Sequence, residues 1–220
     1  MWIEAFKKAG IAQTPEYGFG KTPLKKYRRH MLMLYPNILV IYDELEATEA
    51  TRWDWLLHSD TKFSIDNTAH MLTTSNTAKG FVARTQLFSN DAMSLSQTDQ
   101  FFCDPDGGVT SKYKRQWHMT AQIPNSSSTR VLAIVQVGAN EDALLPITQN
   151  GNIFTIGNWI IEASMASIST AALKITNSTL QKVSFVYDAR SNSSLYDTVS
   201  GIMQTQTQTD RTPVMTRGIE

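Results

Sequence analysis

From Met31 onward the apolar residues of this sequence recur in steps of two, and helical spacing is nearly absent. Side chains of an extended strand alternate between its two faces, so a chain patterned this way buries its core by stacking sheets. Met31-Leu32-Met33-Leu34-Tyr35 and Ile38-Leu39-Val40-Ile41-Tyr42 are near-continuous apolar runs on either side of Pro36-Asn37, which is turn chemistry. They predict a hairpin at the centre of the fold, buried on both faces. Farther on, Trp53, Trp55 and Leu57 share one face while Arg52, Asp54 and His58 take the other.

Strand patterns continue over residues 81–88, 113–121, 131–137, 159–165, 168–175 and 182–188. Turn-prone segments bound them: Ser89-Asn90-Asp91, Asp104-Pro105-Asp106-Gly107-Gly108, residues 124–128 and Asn150-Gly151-Asn152. The expectation is an all-β fold, a large antiparallel two-sheet sandwich of the supersandwich kind. Its core should include Leu32, Leu34, Leu39, Ile41, Trp53, Trp55, Val135 and Trp159. Residues 1–23 form a separate N-terminal segment, with a short helix suggested by Trp2, Ile3, Ala5 and Phe6 and ended by Gly10 and Pro15. Residues 24–220 form the sandwich domain, closed by a Gln/Thr-alternating stretch over 204–209 that is a polar edge strand or a frayed tail.

With 220 residues, 41% of them hydrophobic, the chain can bury a sizeable core. Twenty basic and twenty acidic residues cancel, so global charge does not direct the protein to nucleic acid or a membrane surface. A polyanion must be held by local charge. The single Cys103 rules out an intramolecular disulfide and a thiolate metal cluster. No apolar run is long enough to span a bilayer, and the N-terminus lacks the order of a signal peptide.

The stretch from Tyr27 through Arg28-Arg29-His30, the Pro36 turn, the apolar run ending at Asp43-Glu44 and then Arg52-Trp53-Asp54-Trp55-Leu56-Leu57-His58 resembles a block in the β-region of heparinase II/III-like polysaccharide lyases. In that family an Arg-containing strand enters a Pro turn, an apolar strand ends in Asp, and a further strand ends in His. The resemblance implies a parent protein, bacterial and periplasmic or secreted, that pairs an N-terminal helical toroid with a β-sandwich and cleaves uronate-containing polysaccharide, such as a glycosaminoglycan, by β-elimination. The toroid and the family's upstream Gly-His-x-His-x-Asp segment are not in this sequence. Met1 is accordingly read as a fragment start. No catalytic residue and no metal ligand is assigned to the chain, and a divalent metal belongs to the parent if anywhere.

β-Elimination needs a Tyr or His base and a cation or hydrogen-bond donor that neutralises the carboxylate, gathered in one cleft. The four histidines, His30, His58, His70 and His118, show no close metal-ligand spacing; a zinc site from His30, Asp43 and His58 is chemically allowed but weakly indicated. Tyr17 and Tyr27 lie near basic residues and are read mainly as packing groups. Asp104 to Gly108 lacks the later acidic ligands of a calcium loop, and Asp43, Glu44, Glu46 and Glu49 look like a solvated rim on a loop.

The local charge that stands out is Lys21 to His30, with Lys21, Lys25, Lys26, Arg28 and Arg29 and no acidic residue. A second basic patch, Lys112, Lys114 and Arg115, lies beside Tyr113 and Trp117. Candidate contacts to an anionic polysaccharide are therefore Lys25, Lys26, Arg28, Arg29, His30, Lys114 and Arg115, because Arg forks suit carboxylate or sulfate and aromatic faces suit sugar rings. Three readings follow: a lyase fragment inactive on its own, a non-catalytic carbohydrate-binding or structural sandwich, and a self-sufficient enzyme using His30 or His58.

Overall fold

The computed structural model describes residues 24–100, 115–180 and 182–190, together with strands at 193–197 and 203–207. The expected N-terminal helix, Tyr17, Lys21, Cys103, the Asp104 to Gly108 turn, Lys112 and Lys114 lie outside the described residues. The fold is all-β and consists of two antiparallel sheets. In the first, β1 (Leu24–Leu34), β2 (Ile38–Ser59), β7 (Trp117–Gly138), β5 (Phe81–Phe88), β4 (Met71–Asn76) and β3 (Ser64–Asp66) lie in that order, and β6 (Ser94–Thr98) pairs with β7. The second runs in reverse chain order from β14 (Met203–Thr207) through β13 (Ser193–Asp197), β12 (Lys182–Asp188), β11 (Ala172–Asn177), β10 (Trp159–Ala163) and β9 (Ile153–Ile156) to β8 (Ile147–Asn150). It is a meander of consecutive strands, ended by the polar Gln/Thr strand at one edge.

Two strands of 22 residues, β2 and β7, run side by side through the whole first sheet. Their register breaks between Glu46 and Thr51 and again between Thr51 and Trp53. Pro124 sits opposite these breaks, where the missing ladder N–H matters least. The turn expected at residues 124–128 is therefore a bend inside one strand. The bend folds the far half of β2 back, so that Trp55 shares a core with Ile41 of the near half.

Two cores result. The first lies between the sheets, where Val40, Tyr42, Leu132 and Ile134 meet Phe154, Ile161, Leu173 and Tyr187. The second lies inside the curl of the first sheet, with Ile41, Trp55, Leu72, Leu87, Met119 and Val131. Because β2 and β7 send alternate residues to each, the run from Val131 to Ile134 is buried on both faces. The expectation of a doubly buried strand thus holds for residues 38–42. It fails for β1, which ends the sheet among the described residues and where Met31 and Met33 are 60% and 70% exposed. Of the expected core, Leu34, Ile41 and Trp55 are buried, Leu32, Leu39, Trp53 and Trp159 pack against the cores half-buried, and Val135 is half-buried.

Local chemistry sets the other boundaries. Gly151 takes the positive φ of 59° that a tight two-residue hairpin needs at its first central position, and it joins β8 to β9. The strand expected over 168–175 begins only at Ala172, because residues 166–169 form a turn with Ile168 98% exposed. Deleting core side chains should separate these environments. Leu132→Ala should cost about 2–5 kcal/mol of unfolding free energy and Met33→Ala less than about 0.5 kcal/mol, measured by urea denaturation at neutral pH.

Candidate functional site: a charged cluster at the sheet interface

Alternation along β1 divides its basic residues between two faces. Arg28 and His30 point toward the second sheet, and Arg29 points into the curl of the first. Each cation meets a group from elsewhere in the fold, because β1 pairs antiparallel with the acidic end of β2: Arg28 opposite Glu44, and Arg29 opposite Asp43. The acidic residues expected on a loop are thus strand residues, and Asp43 and Glu44 are only 1% and 3% exposed. Only Glu49, at the bend, is an exposed rim residue.

Glu44 is the hub of the inward face. Lys26 Nζ donates to its Oε2, and the Tyr187 hydroxyl of β12 donates to its Oε1 at 2.6 Å. Arg28 Nη1 donates to the same hydroxyl at 2.5 Å, with its guanidinium 5.5 Å from the Tyr187 ring centre. These contacts cross between the sheets. A neutral hydroxyl bridges a guanidinium and a carboxylate, so each charge keeps a hydrogen-bond partner when water is excluded.

His30 completes the cluster. Its ring lies 4.1 Å from that of Tyr187 and 5.9 Å from Phe185, and its Nε2 is 3.9 Å from Glu44 Oε1. Burial pushes the imidazole down to about 4, with Glu44 opposing and Arg28 and Lys26 adding to the depression. Burial, reinforced by the bond to Glu44, holds the Tyr187 hydroxyl up at about 12, against Arg28. Both rings are therefore neutral at pH 7.

Beside Glu44, Arg130 of β7 reaches across to the turn after β10. Its Nη1 donates to the Ser164 carbonyl at 2.9 Å and to Ser169 Oγ at 3.2 Å, and its Nη2 donates to the Ser169 carbonyl. The Tyr42 hydroxyl donates to the same Ser164 carbonyl at 2.7 Å. Between this turn and the first sheet lies a cleft of about 340 Å³, lined by Lys26, Glu44, Glu46, Arg130, Arg190 and several Ser and Thr residues. Five hydroxyl residues and five charged ones share this lining, which suits a polar ligand. The cations of its wall are engaged: Lys26 by Glu44, and Arg190 by Asp188, at 2.5 Å.

On the opposite face, Arg29 grips Asp43 through two bonds, Nε to Oδ1 at 2.6 Å and Nη2 to Oδ2 at 2.8 Å. Trp55 Nε1 donates to Oδ2 at 3.1 Å. Bidentate pairing and the indole satisfy the buried carboxylate, which explains the Arg, Asp and Trp spacing as a folding device.

The remaining candidates are spread out. Lys25 is 60% exposed and pairs with Glu46. Arg115, just before the start of β7, bonds Gln100 at 2.6 Å. His58 stacks on its cross-strand partner His118, with ring centres 4.5 Å apart, and His70 Nε2 donates to the Met93 carbonyl at 3.1 Å. His30, Asp43 and His58 thus face three different places. Among the described residues, no group of three or more His, Cys, Asp or Glu side chains converges as metal ligands.

Sequence reasoning missed Tyr187 and Arg130. Arg130 carries one usable signal, a lone cation entering the apolar run 131–137. Tyr187 carries none, because its partners are 143 and 159 residues away.

Neither a protein-family model nor a curated protein sequence matches the chain. Among solved structures, the chain is distantly similar to the heparinase III BT4657 gene product with methylated lysines, with a TM-score of 0.49 and 12% identity over 76% of this chain and 24% of that one. It is also similar to a mutant of the heparan sulfate lyase HepC from Pedobacter heparinus, with a TM-score of 0.44 and 14% identity over 74% of this chain and 23% of that one. The chain spans about a quarter of the length of these proteins.

Two outcomes are expected. An unfolded histidine takes a proton near pH 6.5, whereas His30 in the fold does so near 4. Between these values protons favour the unfolded chain, so the contribution is complete above about 6.5 and is lost as pH falls toward 4. His30→Phe should therefore flatten the pH dependence of the urea midpoint in that window relative to the parent protein. Asp43→Ala, which leaves Arg29 and Trp55 without their acceptor, should cost about 3 kcal/mol in the same measurement at pH 7.

Proposed function

We propose that this chain is the C-terminal β-sheet portion of a heparinase II/III-like polysaccharide lyase, and that on its own it contacts an anionic polysaccharide without cleaving it. One observation carries this reading. The block from Tyr27 to His58, whose residues resemble the family, folds as the β1–β2 hairpin and supplies most of the charged cluster. In the parent protein, β-elimination of a uronate polymer would use groups from the helical toroid and the upstream segment, in the periplasm or outside the cell.

The geometry supports a non-catalytic role for this portion. A base for β-elimination must lose or accept a proton near neutral pH within reach of the sugar. Tyr187 is 2% exposed, and its hydroxyl proton is engaged by Glu44. His30 is closed in by aromatic rings, 8% exposed. The open cleft presents hydroxyls and paired charges, which suit binding and positioning.

The contact with polysaccharide would be weak. Exposed ion pairs contribute about 0–1 kcal/mol each, and salt screens them over roughly 8 Å at physiological strength. Arg28 and Arg29 face opposite sides, so one ligand cannot engage both. The purified chain should give no unsaturated uronate absorbance with heparin, heparan sulfate, hyaluronan or alginate. Titration with heparin fragments should give a Kd on the order of 0.1–1 mM at low salt, weakened further at high salt and by Lys21→Ala/Lys25→Ala, which leaves the partners of Glu44 in place. Turnover by the chain alone that His30→Ala abolishes would refute the non-catalytic reading. Absence of binding to all four polymers at low salt, or binding indifferent to salt and to the double change, would refute the polysaccharide contact.

A further inference from the structure

Arg84 of β5 stands apart from the other described arginines. Arg28, Arg29, Arg52, Arg115, Arg130 and Arg190 each donate to an acceptor within the fold. Arg84 makes no hydrogen bond and no ion pair among the described residues, although it is half-buried and its Nε is sealed from solvent. A guanidinium stays charged at any ordinary pH, so a cation is held part-way out of water with no acceptor from the fold for its donors. Native folds rarely leave such a group unmatched without a reason.

The strands around Arg84 determine where it stands. On β5, Leu87 enters the core inside the curl, and Phe88 lies against Phe154 of the second sheet. Arg84, four residues before Phe88, is therefore on the face turned toward the second sheet. Cross-strand pairing sets Ser64, Thr73, Arg84 and Gln136 in one row on that face. Gln136 is 2% exposed, and its amide both donates to and accepts from the Leu145 main chain, so it is not free to turn to Arg84. Thr73 is half-buried and Ser64 exposed, so the row opens toward solvent on the side of these two hydroxyls. None of its residues is acidic. Asp66, in the next row and two strands from Arg84, uses its Oδ1 to accept from the Thr68 and Ala69 main-chain N–H groups.

We propose that Arg84 and Thr73 form an oxoanion site for a sulfate or carboxylate group, supplied by an acidic sugar. Nη1 and Nη2 are not sealed as Nε is, and their edge offers two parallel donors matched to two oxygens of such a group. The Thr73 hydroxyl, on the neighbouring strand, adds a third donor. Packing around the stem holds the guanidinium in place before the ligand arrives, so less freedom is lost on binding than for an exposed lysine. The chemistry of the anion follows from these donors alone, whereas its attachment to a sugar rests on the polysaccharide reading above.

The test is NMR of the whole nitrogen-labelled chain, following the Thr73 amide and the Arg84 Nε–H, which Arg84→Lys identifies. Sulfate should shift both signals saturably, with half-saturation on the order of 10 mM, and chloride at equal ionic strength should not. Heparin fragments should shift the same signals and should bind Arg84→Gln about fivefold more weakly. Arg84→Gln takes no partner from another residue, so its urea midpoint in the absence of sulfate should not fall. Lys21→Ala/Lys25→Ala should leave the sulfate response intact. A sulfate response at Arg84 without binding of any polymer would uphold the oxoanion site and refute the polysaccharide reading alone. Sulfate no more effective than chloride, a Thr73 response that survives in Arg84→Gln, or heparin fragments that bind without moving Arg84 would each overturn the proposal.

Discussion

Glu44 can be buried only because two donors reach it from different parts of the chain. An unpaired carboxylate in such a place would be costly enough to unfold a domain of ordinary stability. Lys26 comes from the neighbouring strand and Tyr187 from the other sheet, and Arg28 polarises Tyr187 from behind. The two sheets therefore have a polar fastening at one end in addition to their apolar interface. Its directional bonds fix how far one sheet slides over the other, which apolar packing alone specifies less sharply.

The same economy of position appears with Asp43 on the reverse face of the same strand. Successive residues 43 and 44 each take an arginine or lysine from β1, one on each side of the sheet. A hairpin with acidic residues on one strand and basic residues on the other thus neutralises both faces at once. Asp43 anchors Trp55 of the folded-back half of β2, so this pair links the bend to the hairpin.

Much of the strand content was legible because period-two alternation is a local property. Residues 81–88 and 182–188 are strands with the expected bounds, and Trp53, Trp55 and Leu57 do share the inner face. The misjudged features depend on partners distant in the chain. The run 21–30 contains no acid within itself, and its counter-charges arrive 14 to 21 residues later across the hairpin. Pro124 and the serines after it have the composition of a turn, and only pairing with the equally long β2 carries the strand through them. The apolar run of β1 looks like an interior strand, yet whether it has a neighbour on its far side is a matter of topology. At the site, residue types indicated charge but not its pairing, so what looked like a free basic surface is largely an internal network.

β2 and β7 belong to both hydrophobic cores, residue by residue in alternation. Neither core can therefore lose its packing while the other keeps it intact, because the same two backbones form a wall of each. The expected behaviour is one cooperative melting unit, in which amide protons of residues 38–44 and 129–136 exchange only through global opening while those at β3, β6 and β8 exchange by local fraying. The long strands act as a shared spine, and damage to either core is transmitted through them to the whole molecule.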